Sequence, residues 1–219
     1  MPRLAHILAA FALLGSASCA LLGKSEALAP RYFSPDSAPR RTSSSSPEPA
    51  AQLELNLGRI SSASYLGERI VYRDSNYELN FYQERRWSER PEAYLRRALS
   101  RALFEERGLH RVVSGSGPTL DVELSEFAEI RAESPVARVS ATFILSDRRL
   151  VRREATVTIE LPIQSTKPLE DAPEAAVRAM TDALNRTVDQ IVEQVLASLR
   201  AGPTPIDPDP AAAGAAATR

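Results

Sequence analysis

Cys19 is the only cysteine of the 219-residue chain, and it stands directly after Ser16-Ala17-Ser18. Ahead of it lie a positive start at Arg3 and an apolar run from Ile7 to Leu14. A charged start, an apolar stretch and small residues, in that order, form a secretory signal over residues 1–18. A thiol placed immediately behind such a leader is the nucleophile that bacterial lipoprotein maturation acylates before cleavage makes it residue one. Lipoprotein sites usually carry Leu three places before the cysteine, where this chain has Ser16. Ser16 and Ser18 also suit ordinary signal-peptidase cleavage, which would release a soluble product. The apolar run is shorter than the ~20 residues of a transmembrane helix, so a span is the weakest reading. One cysteine leaves no intramolecular disulfide and no cysteine-rich metal site.

Other reactive side chains are sparse. Loss of the leader removes His6 and leaves His110 as the one histidine, too few for a zinc or iron set. His110 with Ser114 or Ser116 could be drawn as a hydrolase pair. No nucleophile-elbow pattern accompanies it, however, and a cation just past a helix stop is well placed for structural reasons alone. Ser114-Gly-Ser-Gly-Pro118 lacks the lysine of a P-loop and the spacing of a dinucleotide fingerprint. Glu105, Glu106, Asp121 and Glu123 carry no pattern that marks one as buried or paired. The expectation is a protein with no catalytic residues, cofactor or metal.

Charge excludes another class. The chain carries 27 Lys+Arg against 28 Asp+Glu, a net of −1. Such a balance offers no field for nucleic acid, so no nucleic-acid partner is expected. Nearly all the cations are arginine, the lysines being Lys24 and Lys167. Arg-Arg pairs at 85–86, 96–97, 148–149 and 152–153 read as solvated faces and turns.

The elements that would position any site occupy residues 52–200. Residues 19–51 follow the cysteine as a Ser/Pro/Ala-rich linker, with a coil span of ~30 Å. Residues 201–219 form a second Pro/Ala/Gly-rich segment, expected to be disordered. Between them, Leu53, Leu55 and Leu57 alternate with polar residues, and Ile60 is taken to keep that phase, which predicts a strand. Residues 69–73 and 77–82 flank Asp74-Ser75-Asn76 as a hairpin. Tyr94, Leu95, Ala98, Leu99, Ala102 and Leu103 form one stripe of a helix over about 89–107, with Ser88 as its cap, Pro91 in its first turn and Gly108 as its stop. Three alternating runs follow, around Leu120–Leu124, Val139–Leu145 and Ala155–Ile163, the last two joined through Asp147-Arg148-Arg149. Their polar alternate residues (Thr142, Thr156, Thr158, Glu160) predict antiparallel strands wet on one face. Val177, Met180, Leu184, Val188, Ile191, Val195 and Leu199 then mark an amphipathic helix from Pro173 to Arg200. The order β-β-β-α-β-β-β-α predicts an α+β fold: an antiparallel or mixed sheet of about five to six strands with two helices packed on one face.

Seven aromatic residues gather between Tyr65 and Tyr94: Tyr65, Tyr72, Tyr77, Phe81, Tyr82, Trp87 and Tyr94. Tyrosine joins an apolar body to a polar tip, which suits a partly exposed contact surface. A sheet–helix junction that needs large side chains would recruit the same residues.

The order of motifs here resembles the ABC-type transport auxiliary lipoprotein family. The residues that carry the resemblance are Tyr65-Leu66, Ile70-Val71-Tyr72-Arg73, Asn76-Tyr77-Glu78-Leu79, Arg86-Trp87, Glu89 and Pro91, together with Cys19. The resemblance implies a non-enzymatic accessory of an intermembrane transport system, in which an ABC transporter works with an MCE-domain protein that carries lipids or other apolar molecules. It further implies lipid anchoring through Cys19 and, since Ala20 rather than Asp follows the cysteine, delivery to the periplasmic face of the outer membrane. Expected partners are the membrane, the MCE-domain protein and ABC transporter subunits, with a homo-oligomer also in keeping with the family. Clustering and resemblance together nominate Tyr72, Arg73, Tyr77, Phe81, Tyr82 and Trp87 as the partner-binding set. Two rivals are a soluble periplasmic carrier of an apolar ligand held between sheet and helices, and a structural envelope lipoprotein.

Overall fold

The computed structural model describes residues 29–35, 53–74, 77–113, 117–148, 150–166, 168 and 171–202. The leader, Cys19, the linker from 36 to 51, Ser75-Asn76, Ser114–Ser116 and the tail from 203 lie outside the described residues.

The longest alternating runs build the frame. β6 (Thr119–Ile130), β7 (Val136–Asp147) and β8 (Leu150–Pro162) form an antiparallel meander. Leu120, Val122, Leu124 and Phe127 of β6 meet Leu145, Phe143, Ala141 and Val139 of β7 in the pairing register, and all eight are buried. The opposite face carries hydroxyl pairs, Ser140 with Thr158 at 2.9 Å and Thr142 with Thr156 at 2.8 Å, so this side of the meander is polar as expected. The tight β7–β8 turn holds Arg148 at a φ of 45°.

The other edge of β6 is shared. β2 (Glu54–Ser62) runs parallel to its first half, and β3 (Arg69–Arg73) runs parallel to its second half. β2 and β3 are thus one interrupted strand, broken by the excursion 63–68. β3 pairs antiparallel with β4 (Asn80–Trp87), β1 (Arg31–Phe33) adds parallel to β4, and β5 (His110–Arg111) adds parallel to β2. Among the described residues the sheet is therefore mixed and has eight strands, more than the five to six that alternation alone reveals. The additional ones are short and carry no period: β5 has two residues, and β1 has three and falls inside the stretch read as linker.

Ile60 does not keep the phase of Leu55 and Leu57. A bulge between Leu57 and Ile60 resets the alternation and returns Ile60 to the buried face. Gly58 sits in that bulge, where a Cβ would run into the Asp121 carboxylate, and Asp121 Oδ1 accepts the Arg59 N–H at 2.6 Å.

α1 (Pro91–Ser100) continues as a π-helical turn over Arg101–Glu106 and stops at Gly108, whose φ is 68°. Ser88 is not its cap. Arg90 occupies that position in extended geometry without a side-chain cap, while the Tyr94 hydroxyl reaches back to accept the Glu89 N–H at 2.8 Å and meets Ser88 Oγ at 2.9 Å. α2 (Pro173–Arg200) buries Met180, Leu184, Val188, Ile191, Val195 and Leu199. Both helices pack on the apolar face of the sheet, and side chains fill the space between: Leu55, Trp87, Tyr94, Leu99, Phe127 and Phe143 are each at most 1% exposed. Both run from the end of the sheet that holds the β3–β4 hairpin toward the end that holds β5, since Glu92 bonds Ser62 and Arg96 reaches Gly58, and since Glu174 bonds Arg31 and Ser198 bonds Arg152.

Candidate functional site

The aromatic cluster divides by strand alternation. Tyr72 pairs with Glu129 of β6, which pairs with Ala137, and this row faces the helices' side of the sheet. There the Tyr72 and Tyr82 rings lie 4.8 Å apart, tilted by 51°. The Arg131 guanidinium covers the Tyr72 ring at 3.9 Å and stands 4.9 Å from that of Tyr82, whose ring is also covered by Arg85 at 3.9 Å. Each such cation–ring contact is worth on the order of 0.5–2 kcal/mol, more as water is excluded.

A charge network ties these rings to the sheet. Glu129 is completely buried, and a carboxylate taken out of water must be matched. The Tyr82 hydroxyl donates to Glu129 Oε2 at 2.7 Å, Arg131 Nε donates to Glu129 Oε1 at 3.2 Å, and Arg131 Nη2 donates to the Tyr82 hydroxyl at 2.6 Å. Arg131 also stands 3.8 Å from Asp74, at the end of β3. Burial, and then the neighbouring Glu129 carboxylate, push the Tyr82 phenol up to about 12. Burial opposes the charged form of Arg131, but Tyr82 and Glu129 outweigh it and hold the guanidinium above its ordinary value.

Arg73 and Phe81 point to the other face. Arg73 Nε bonds Glu126 at 3.0 Å, and Arg138 lies 3.8 Å from Glu126 while bonding Glu160 at 2.6 Å. Phe81, Tyr65, Arg69, Arg86 and Arg90 line a shallow groove of about 330 Å³. The Tyr65 hydroxyl donates to the Ser125 carbonyl at 2.6 Å, and burial raises its pKa.

The six nominated residues therefore do not form one patch. Tyr72 and Tyr82 meet on one face, and Arg73 and Phe81 stand on the other. Tyr77, just before β4, is 99% exposed. Trp87 is 1% exposed and belongs to the core, stacked on Phe127 at 4.9 Å and edge-on to Tyr94 at 6.1 Å. Glu129 and Arg131, which complete the network, escaped the sequence reading, and Arg85, read there as part of a solvated pair, is 8% exposed and covers the Tyr82 ring. The signal for Glu129 was its place two residues after Phe127, in phase with a buried row.

The remaining reactive groups are dispersed. His110 is exposed in β5 beside Glu54, and its suggested partners Ser114 and Ser116 lie outside the described residues. Asp121 is engaged by the Arg59 backbone, Glu106 faces Arg101 at 3.8 Å, and Glu105 and Glu123 are exposed. Among the described residues no three His, Cys, Asp or Glu side chains are grouped to hold a metal ion, and no helix is long and apolar enough to cross a membrane. Between its ends, the site offers ordered aromatic and cationic surface.

Residues 35–192 match the ABC-type transport auxiliary lipoprotein components, and the chain belongs to that family. Its fold is similar to that of a Xanthomonas campestris protein, with 22% identity and a TM-score of 0.65 over 78% of this chain and 98% of the other. A further solved structure, of an uncharacterized protein, is 14% identical, with a TM-score of 0.59 over 76% of this chain and 99% of the other. No curated protein matches the chain.

Proposed function

We propose that this chain is a periplasmic lipoprotein, anchored in the outer membrane through acylated Cys19, that serves without chemistry of its own as the docking component of an ABC/MCE-type intermembrane lipid transport system. Family membership supports the auxiliary transport role. One acyl chain holds a protein to a bilayer only marginally, so stable anchoring takes more than one, as lipoprotein maturation provides. The linker then carries the domain away from the membrane.

The observation that carries the docking role is the hairpin itself. Tyr77 is fully exposed in the connection between β3 and β4, the strands that carry a Tyr72–Tyr82 pair locked by Arg85, Arg131 and Glu129. Tyrosines held in place by their neighbours bind at low entropic cost, and arginine and aromatic residues dominate interface energetics. Tyr77 and Tyr72 form the contact set, with Tyr82 ordering it from beneath and Trp87 holding the strand to the core, while Arg73 and Phe81, on the opposite face, lie outside it. The partner is the periplasmic MCE-domain protein.

Two measurements test this reading. Intact mass of the protein from membranes should exceed that of the chain beginning at Cys19 by its acyl chains, and Cys19→Ala should abolish both the added mass and membrane retention. Tyr77→Ala with Tyr72→Ala should cut pull-down of the MCE-domain partner while the circular dichroism spectrum stays native. Full retention of the partner by that folded variant would remove the hairpin from the interface.

A further inference from the structure

The far end of the sheet, where Asn56 pairs with Thr119 rather than Tyr72 with Glu129, holds a second concavity. It measures about 730 Å³ and opens between α1 with its π-turn and the β2–β5 edge. Its walls carry Arg96, Arg97, Arg101 and Arg111, with Leu57 and Val113 as apolar surface and Glu105 as the single acid among the lining residues.

These arginines differ from Arg131. Arg97 bonds Glu89 at 2.7 Å, but Arg96 makes only a long 3.5 Å contact with the Gly58 carbonyl. Arg111 lies over the Phe104 ring at 4.2 Å and touches the Ser100 hydroxyl. Neither Arg96 nor Arg111 has a carboxylate within ion-pair distance among the described residues. Arg101 is the most telling. Its Nε–H is buried without a hydrogen-bond acceptor, the Glu106 oxygen being 3.8 Å away, while its side chain remains 40% exposed. A buried donor without an acceptor is costly, and native proteins leave few of them. Arg101 is also the first residue of the π-turn, a distortion common at functional sites, which widens the helix where it lines the groove.

We infer that this groove binds an anionic amphiphile, a molecule with a phosphate-type head and an apolar portion. The head is received by Arg101, Arg96 and Arg111, since the guanidinium fork matches phosphate oxygens and several donors converge on one dianion. The apolar portion lies along Leu57 and Val113, the latter 86% exposed. The volume falls within the ~300–1,000 Å³ of small-molecule sites, and a free phosphate would fill only a small part of it. The inference does not rest on the docking role, because the two sites lie at opposite ends of β6.

The full chain carrying Cys19→Ala, which removes acyl chains as a competing apolar phase, can be titrated below the micellar range with decyl phosphate, inorganic phosphate and neutral decyl glucoside. Decyl phosphate should bind about tenfold or more tighter than either control, and Arg96→Gln with Arg101→Gln should weaken it by about tenfold or more without lowering the melting temperature. Should that pair fail to fold, Arg96→Glu alone, on an exposed wall, should weaken binding while Tyr77→Ala leaves it unchanged. Equal affinity for decyl phosphate and inorganic phosphate would overturn the amphiphile. Equal affinity for decyl phosphate and decyl glucoside, or indifference to the arginine substitutions, would overturn the anion site.

Discussion

The two ends of β6 use the same residue type for opposite purposes. At the hairpin end, Arg131 is bonded to a fully buried carboxylate and a phenol and roofs two aromatic rings, so its charge is spent on internal order. At the groove end, Arg96 and Arg111 face solvent with weak or uncharged partners. Deleting a charge at the first end leaves another charge buried and uncompensated, whereas deleting one at the second leaves a side chain in water. The difference predicts that substitutions within the Tyr82–Glu129–Arg131 network appear in stability, and arginine substitutions at the groove end in ligand binding.

The largest expected effect lies beneath the hairpin. Trp87→Ala removes a side chain that is 1% exposed and stacked on Phe127, and should cost about 3–5 kcal/mol. Urea unfolding followed by circular dichroism is the measurement, since the chain has no other tryptophan to report by fluorescence. A loss below 1 kcal/mol would mean that the hairpin is not secured to the core through this residue. Next in size is Tyr82→Phe, which keeps the ring but takes from Glu129 its 2.7 Å donor. It should cost about 1–3 kcal/mol by the same assay. Glu129→Gln in the Tyr82→Phe background should cost less than the two single changes added together, because the charge that lacks a donor is gone.

This end of the molecule was only half legible in the sequence. Alternation and helical period placed β6, β7, β8 and both helices, because long elements with one buried face repeat their pattern many times. The same logic failed wherever the chain departs from its period. The bulge at Gly58 hid the phase of Ile60, and β1 and β5 are too short to show one. Trp87 looked like contact surface because composition reports that aromatic residues cluster but not which way they point. Glu129 and Arg131 looked like ordinary surface charges, as neither residue type announces burial. Their burial depends on β3 lying beside β6, a pairing of Tyr72 with Glu129, 57 positions on, that no short window of sequence contains.

The burial of Tyr82 also sets a pH signature that sharpens the contrast. Its pKa, about 12 against an ordinary 10.0, means that the folded state favours the neutral phenol. The stabilisation is therefore fully present below pH 10 and fades as pH rises through about 12. In a spectrophotometric titration of the native protein, a tyrosine step near pH 12 should be present, and it should vanish in Tyr82→Phe. If the titrations of the native protein and of Tyr82→Phe showed the same highest-pH step while both stayed folded, the phenol–carboxylate bond would not exist in solution.

The smallest effect is the most discriminating. Arg96→Gln should change stability by no more than about 0.5 kcal/mol, because its one hydrogen bond among the described residues is a 3.5 Å reach to the Gly58 carbonyl and its side chain is exposed. A silent substitution of an arginine at this end, set beside a costly loss of donor at the other, separates cations that build the fold from cations held out toward a ligand. A loss of 1.5 kcal/mol or more, an effect of the size a charged hydrogen bond gives, would show instead that Arg96 pins α1 to the β2 bulge. The groove would then be a by-product of helix docking rather than a receptor for an anion.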